Sequence, residues 1–201
     1  MDLLLIIFHV LITYEELHDC VHPLLDTMED GCTLSSSDDN QFVDTVIQPY
    51  FDYCAPIWDG SSSYQCEKLQ KLQNRAARVI LQANCEESSS LLLETLKWDK
   101  LSLRRRKQKG IMMFKSLNGL APVYLQDLFS ERHTDYDMRD SLRKVNLPKP
   151  RTDYLKHSFG YSSALLWNSL PENIRAIRSI REFKKKIKHA LKASNSHSAI
   201  L

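Results

Sequence analysis

The stretch SSYQCEKLQKLQNRAARVILQA, residues 62–83, decides the fold class. No Pro or Gly interrupts it. At 100° per residue Leu69, Leu72, Ala76, Val79, Ile80 and Ala83 fall on one face, the period of an amphipathic helix. Lys68, Lys71, Arg75 and Arg78 follow at spacings of three, four and three. They form a second stripe, roughly 110° around the helix from the apolar one. With the apolar side on a core, four cations stand in a row at the solvent edge, a geometry that follows a phosphate backbone. The same stripe also suits an ordinary solvated Lys/Arg face.

Downstream the helical period recurs. A short helix is expected around Ser90–Leu96, ahead of Trp98 and Asp99. Leu101 to Asn118 opens on Arg104, Arg105, Arg106, Lys107, Gln108 and Lys109. Leu103, Gly110, Met113, Phe114 and Leu117 share one face there, and the cations cover most of the rest. Asn118-Gly119 is a helix stop, and Ala121–Phe129 reads as another short helix with Pro122 in its first turn. Residues 130–158 lose the period. There Pro148 and Pro150 alternate with Lys149 and Arg151, which predicts an extended basic loop, with Tyr136 and Tyr154 placed for base stacking. Phe159–Leu170 returns to helix and stops at Pro171. The last helix begins at Ser179 with Glu182 three residues on, a capping box. Its apolar face is Ile180, Phe183, Ile187, Ala190 and Leu191, and its cationic face is Arg181, Lys184, Lys185, Lys188 and Lys192.

Upstream, residues 41–58 are aromatic and apolar and read as helix, kinked or ended at Pro49 and Pro56. Trp58 and Trp167, embedded in apolar stretches, belong in a core. The chain has only 5 Gly in 201 residues, and helix formers dominate. The expected fold is therefore mainly α, an irregular multi-helix bundle with an extended basic loop and no large sheet. Residues 1–40 form an acidic and apolar extension, 41–193 the helical domain and 194–201 a frayed tail.

The net charge of +2 hides an asymmetry. Residues 1–66 hold 12 Asp and Glu and no Lys or Arg; residues 67–201 hold all 27 Lys and Arg against 13 acids. A basic part so unbalanced points to an anionic partner. The 5 cysteines are odd in number and include no C-x-x-C pair, which favours a reduced compartment, nucleus or cytoplasm. Leu3–Ile12 is apolar but about half the length of a spanning helix, so no stable membrane insertion is expected.

Catalytic chemistry finds little purchase. The adjacent acids Asp38-Asp39 sit in a serine run with no flanking strand, and there is no Gly-rich phosphate loop, G-x-S-x-G or H-E-x-x-H. His18, Cys20 and His22 alternate, with Cys32 ten residues on, a spacing that matches no common zinc finger. No enzyme activity, metal, cofactor or small-molecule substrate is expected.

Several stretches together carry a resemblance. They are Ile47 through Gly60 (IQPYFDYCAPIWDG), Lys68 through Ile80, Leu96-Lys97-Trp98, Arg104 through Lys107, and Asn118 through Leu125 (NGLAPVYL). They continue with Asp135 through Arg139 (DYDMR), Leu147 through Tyr154 (LPKPRTDY), Ser158 through Tyr161, and Ala164 through Pro171 (ALLWNSLP). In this order they resemble the carboxy-terminal region of jockey-like non-LTR (LINE-type) retrotransposon reverse transcriptases, over about residues 41–190. The resemblance implies thumb and post-thumb helices that contact template and primer. The family's palm motif, an aromatic-Ala-Asp-Asp, is missing, so no polymerase activity is implied. The resulting expectation is a non-catalytic nucleic-acid-binding remnant. Its phosphate contacts, to RNA or DNA, are Lys68, Lys71, Arg75, Arg78, Arg104, Arg105, Arg106, Lys107, Lys149 and Arg151, with Tyr154 for stacking. Two other readings stay open. One is a helical protein–protein interaction module, self-associating through Leu69, Leu72 and Val79 or through Phe183 and Ile187. The other is a decayed gene product without selected function.

Overall fold

A computed structural model of the chain describes residues 45, 48–52, 55, 63–132 and 142–197. Residues 1–40, Trp58, Tyr136 and residues 198–201, on which several expectations fall, lie outside the described residues. Among the described residues the secondary structure is helical, with no strand or sheet and one isolated antiparallel bridge, Glu131 to Val145. The mainly α class is as expected. The chain divides into two compact units, Met1–Ser102 and Leu103–Leu201, where the periodicity alone marks one domain.

In the first unit α1 spans Gln48–Asp52, α2 Ser63–Leu81 and α3 Ser89–Thr95, and α4 (Leu101–Leu117) begins. α2 buries Leu69, Leu72, Gln73, Ala76, Ala77 and Ile80. Ala77 meets Leu92 and Leu93 of α3, flanked by the half-buried Leu81, Ala83, Leu96 and Trp98. Two polar residues fix the path that follows. Gln73 Nε2 donates to the Asp99 carbonyl at 3.1 Å, and Gln70 Oε1 accepts from the Leu101 N–H at 3.1 Å. Gln70 thus satisfies an orphan donor at the head of α4, the task normally done by an N-cap side chain.

Both α2 and α3 end in left-handed caps on residues with a side chain. Gln82 has φ 49° and Lys97 φ 56°. The Ala83 N–H reaches the Arg78 carbonyl (3.0 Å), and the Trp98 N–H reaches that of Leu93 (2.8 Å). These are the long bonds of a Schellman cap, joined by Gln82 N–H to Val79 and Lys97 N–H to Glu94.

The second unit holds the body of α4, then α5 (Val123–Gln126), α6 (Asp153–His157), α7 (Phe159–Ser169), α8 (Glu172–Arg175) and α9 (Ile180–His197). α4 stops at Gly119 (φ 69°), where the sequence places the stop. Its core joins Met113 and Phe114 of α4, Ala164, Leu166 and Trp167 of α7, and Phe183, Ile187 and Leu191 of α9. Phe114 stacks on Phe183 with centroids 4.5 Å apart, and Trp167 lies 5.7 Å from Phe183. Gly110 of α4 lies against the Ile187 side chain, leaving no room for a Cβ. The one-turn α8, after Pro171, is not marked by the apolar period. α9 runs through His197, past residue 194, where the tail is expected to fray. Its capping box forms differently from expectation. The Ser179 carbonyl accepts from the Phe183 N–H, while the Glu182 carboxylate accepts from Lys186 Nζ.

Segment 142–146 is clasped by side chains. The Glu131–Val145 bridge is framed by Arg132 N–H to the Lys144 carbonyl and Asn146 N–H to that of Ser130. On its other side the Asn168 amide accepts from the Val145 N–H (3.0 Å) and donates to the Val145 carbonyl (2.9 Å). Arg143, with φ 54°, gives its carbonyl to Trp167 Nε1 at 2.7 Å. Its guanidinium donates to the carbonyls of Arg175 and Ile177 and to Asn118 Oδ1. Arg175 is fully buried and donates to the carbonyls of Leu170 (3.0 Å) and Leu142. Buried donors and acceptors that are satisfied in this way specify a single arrangement.

Candidate nucleic-acid interface

The cation row of α2 is built by its buried side. Positions 69, 72, 73, 76, 77 and 80 are inside, and at 100° per residue the centre of that arc lies roughly 150° from the centre of the Lys68, Lys71, Arg75 and Arg78 stripe. This is farther round than the apolar residues alone indicate. Val79 is only half-buried, while Gln73 and Ala77 go in, Gln73 through its bond to Asp99 and Ala77 through contact with α3. The row is therefore turned more squarely to solvent at its start. Lys68 and Lys71 are exposed, Arg75 and Arg78 half-buried, and Arg78 Nε is buried with no hydrogen-bond partner among the described residues.

Lys68 Nζ sits 4.6 Å above the ring of Tyr64, one turn earlier. Tyr64 is 64% exposed, so this aromatic and its cation share an open surface. The sequence reading missed Tyr64; its signal was the i,i+4 spacing to Lys68.

The Arg104 to Lys107 run does not act as one row. Successive residues turn by 100°, so four adjacent cations spread over roughly 300° and cannot share a side. Arg104 and Lys107, one turn apart, are half-buried on the same flank, and Arg106 is also half-buried. Arg105 is buried, with its Nε lacking a partner among the described residues, and Lys109 is buried and donates to Ser162 Oγ at 3.0 Å. The expectation that Arg105 stands on the surface is corrected by this burial.

Lys149 and Arg151 are exposed, Lys149 in the loop without helix and Arg151 in the bend that leads into α6. Tyr154 is also exposed, at 49%, but it stands on the helical turn α6, not in the loop. The Thr152 side chain caps that turn by accepting from the Leu155 N–H. Lys71, Lys107, Lys149 and Arg151 make no side-chain hydrogen bond or ion pair with other described residues.

Trp167 is in the core, as expected, and so are Leu69, Leu72, Phe183 and Ile187. Those four residues are therefore unavailable for the self-association patch considered for them. Among the described residues there is no group of three or more His, Cys, Asp or Glu side chains placed to hold a metal, and no helix long and apolar enough to cross a membrane. Comparison with protein-family models, with curated proteins and with solved structures returns no match.

Proposed function

We propose that the chain is a non-catalytic, intracellular nucleic-acid-binding module, a remnant of the carboxy-terminal region of a retrotransposon reverse transcriptase. The observation that carries the binding is the Lys68, Lys71, Arg75, Arg78 row, whose helix has its opposite side committed to the core. Phosphate contacts from such a row are sequence-independent and release counterions. Tyr64, beneath Lys68, offers a face on which a base can stack. The origin rests on the resemblance of the stretches between residues 41 and 190.

Fluorescence anisotropy of a labelled RNA or DNA in rising salt tests the function. The logarithm of the affinity should fall steeply against the logarithm of salt. On duplex DNA, Lys68→Gln with Lys71→Gln should reduce the slope by about 1.8, at about 0.9 per phosphate contact. A flat salt response in the parent chain overturns the proposal.

One observation favours a second reading, a protein-interaction module. Leu120, Val123, Tyr124 and Leu128 are all exposed around the single turn of α5. Light scattering of the chain alone, and of a Val123→Ser, Tyr124→Ser variant, separates the readings. Concentration-dependent association lost in the variant supports an interaction surface; a monodisperse parent removes self-association.

A further inference from the structure

The second unit carries its own cation row. At 100° per residue Arg181, Lys184, Lys185, Lys188 and Lys192 of α9 fall within a sector of roughly 100°. Lys188 is half-buried and the other four are exposed. The helix is held rigidly from behind, since Phe183 and Ile187 are fully buried and Leu191 nearly so. Between residues 180 and 192 the one acid is Glu182, which lies outside the sector and accepts from Lys186.

We propose that this row is a second nucleic-acid face, which binds the sugar–phosphate backbone of a duplex independently of α2. The inference rests on the reading that the chain binds nucleic acid, and it adds a footprint in the other unit. Arg181 to Lys192 spans roughly 16 Å of helix at 1.5 Å per residue. One strand of a duplex advances about 3.4 Å along its axis per phosphate while winding around it, so its neighbouring phosphates lie roughly 6–7 Å apart and about two to three of them face that length. An acidic peptide in extended form offers charges at a similar spacing but must give up chain entropy to lie along the helix, about 1–2 kcal/mol per ordered residue, whereas a duplex is already stiff. An anionic bilayer is a poorer match because the apolar side of α9 is sunk in the core and cannot insert. The sector contains cations and no aromatic residue, so it has nothing on which an unpaired base stacks. Backbone contact to a duplex is what remains.

The test uses the full chain and a mixed-sequence DNA duplex, titrated in rising salt. Arg181→Gln with Lys184→Gln and Lys185→Gln should lower the salt slope by about 2.7, and each single change by about 0.9. Lys186→Gln, which faces elsewhere and pairs with Glu182, should leave the slope unchanged. If circular dichroism shows that the triple variant has lost helix, the single variants decide. A triple variant with the parent's slope, while Lys68→Gln with Lys71→Gln lowers it, overturns the α9 face and leaves the α2 reading standing. A parent chain with no salt dependence overturns both. The triple variant is also compared on polyglutamate and on phosphatidylserine vesicles. A defect larger there than on the duplex overturns the duplex assignment in favour of an acidic protein or a membrane.

Discussion

Gly110→Ala adds one methyl to the middle of α4, at the point where Ile187 of α9 lies closest. The new Cβ would overlap the Ile187 Cδ1 atom, while Cγ1 of the same side chain stays 3.7 Å away, at ordinary contact distance. Two effects of opposite sign follow. Replacing Gly by Ala inside a helix gains about 1 kcal/mol. Overpacking a filled core costs about 1–3 kcal/mol, and Ile187 has no exposed surface into which to retreat. The single variant should therefore lose about 0–2 kcal/mol. Ile187→Val removes Cδ1 and should lose about 0.5–1.5 kcal/mol by itself. Together the changes fit, because the alanine methyl then meets only atoms at contact distance and the helix keeps its propensity gain. The double variant should lie within about 0.5 kcal/mol of the parent, or above it, a favourable coupling of about 1–3 kcal/mol. Urea unfolding followed by far-ultraviolet circular dichroism on all four chains measures it. Additive losses would show that α4 and α9 do not meet at Gly110 and would refute the reasoning.

Arg175→Met keeps the apolar stem but removes the bonds to the Leu170 and Leu142 carbonyls. Each charged donor contributes about 1.5–3 kcal/mol, so about 3–6 kcal/mol is lost. The melting temperature of a unit this size should fall by more than about 10 °C, and a fall under about 4 °C would contradict the buried network. Arg105→Met should be neutral or stabilising by up to about 2 kcal/mol, because a buried guanidinium with an unsatisfied Nε is replaced by an apolar chain. The same variant should bind nucleic acid with the parent's salt slope, and a lowered slope would return Arg105 to the interface. Asn168→Ala strips both bonds from Val145, which is 2% exposed, and should lose about 2 kcal/mol. Hydrogen exchange at the Val145 amide should accelerate in that variant, and unchanged exchange would argue against the clasp.

The long helices were legible because their signals are local. α2, α3, α4, α7 and α9 start and stop within a few residues of where the apolar period, Gly119, Pro171 and Ser179 place them. Two of the left-handed caps were not legible, since Gln82 and Lys97 carry no glycine signal and gain their conformation from the carbonyls they serve. The clasp around 142–146 was invisible for another reason. Arg143, Asn168 and Arg175 bond to backbone groups 23 to 34 residues away, a separation with no sequence period. The cation row of α2 was readable because its spacing matches the helix. The run from Arg104 to Lys107 misled because adjacency in sequence is dispersion on a helix, and it places Arg105 inside.

The treatment of Val145 bears on how the chain behaves in crowded solution. An extended segment normally leaves one side of its backbone able to recruit a strand from a neighbouring molecule, the first step towards intermolecular sheets. Here the Glu131 bridge occupies one side, the Asn168 amide fills both hydrogen-bonding positions of Val145 on the other, and Pro148 and Pro150 follow. A helix thus supplies the last rung of a ladder that can grow no further, which protects against aggregation at the one place where the described backbone pairs as a sheet does.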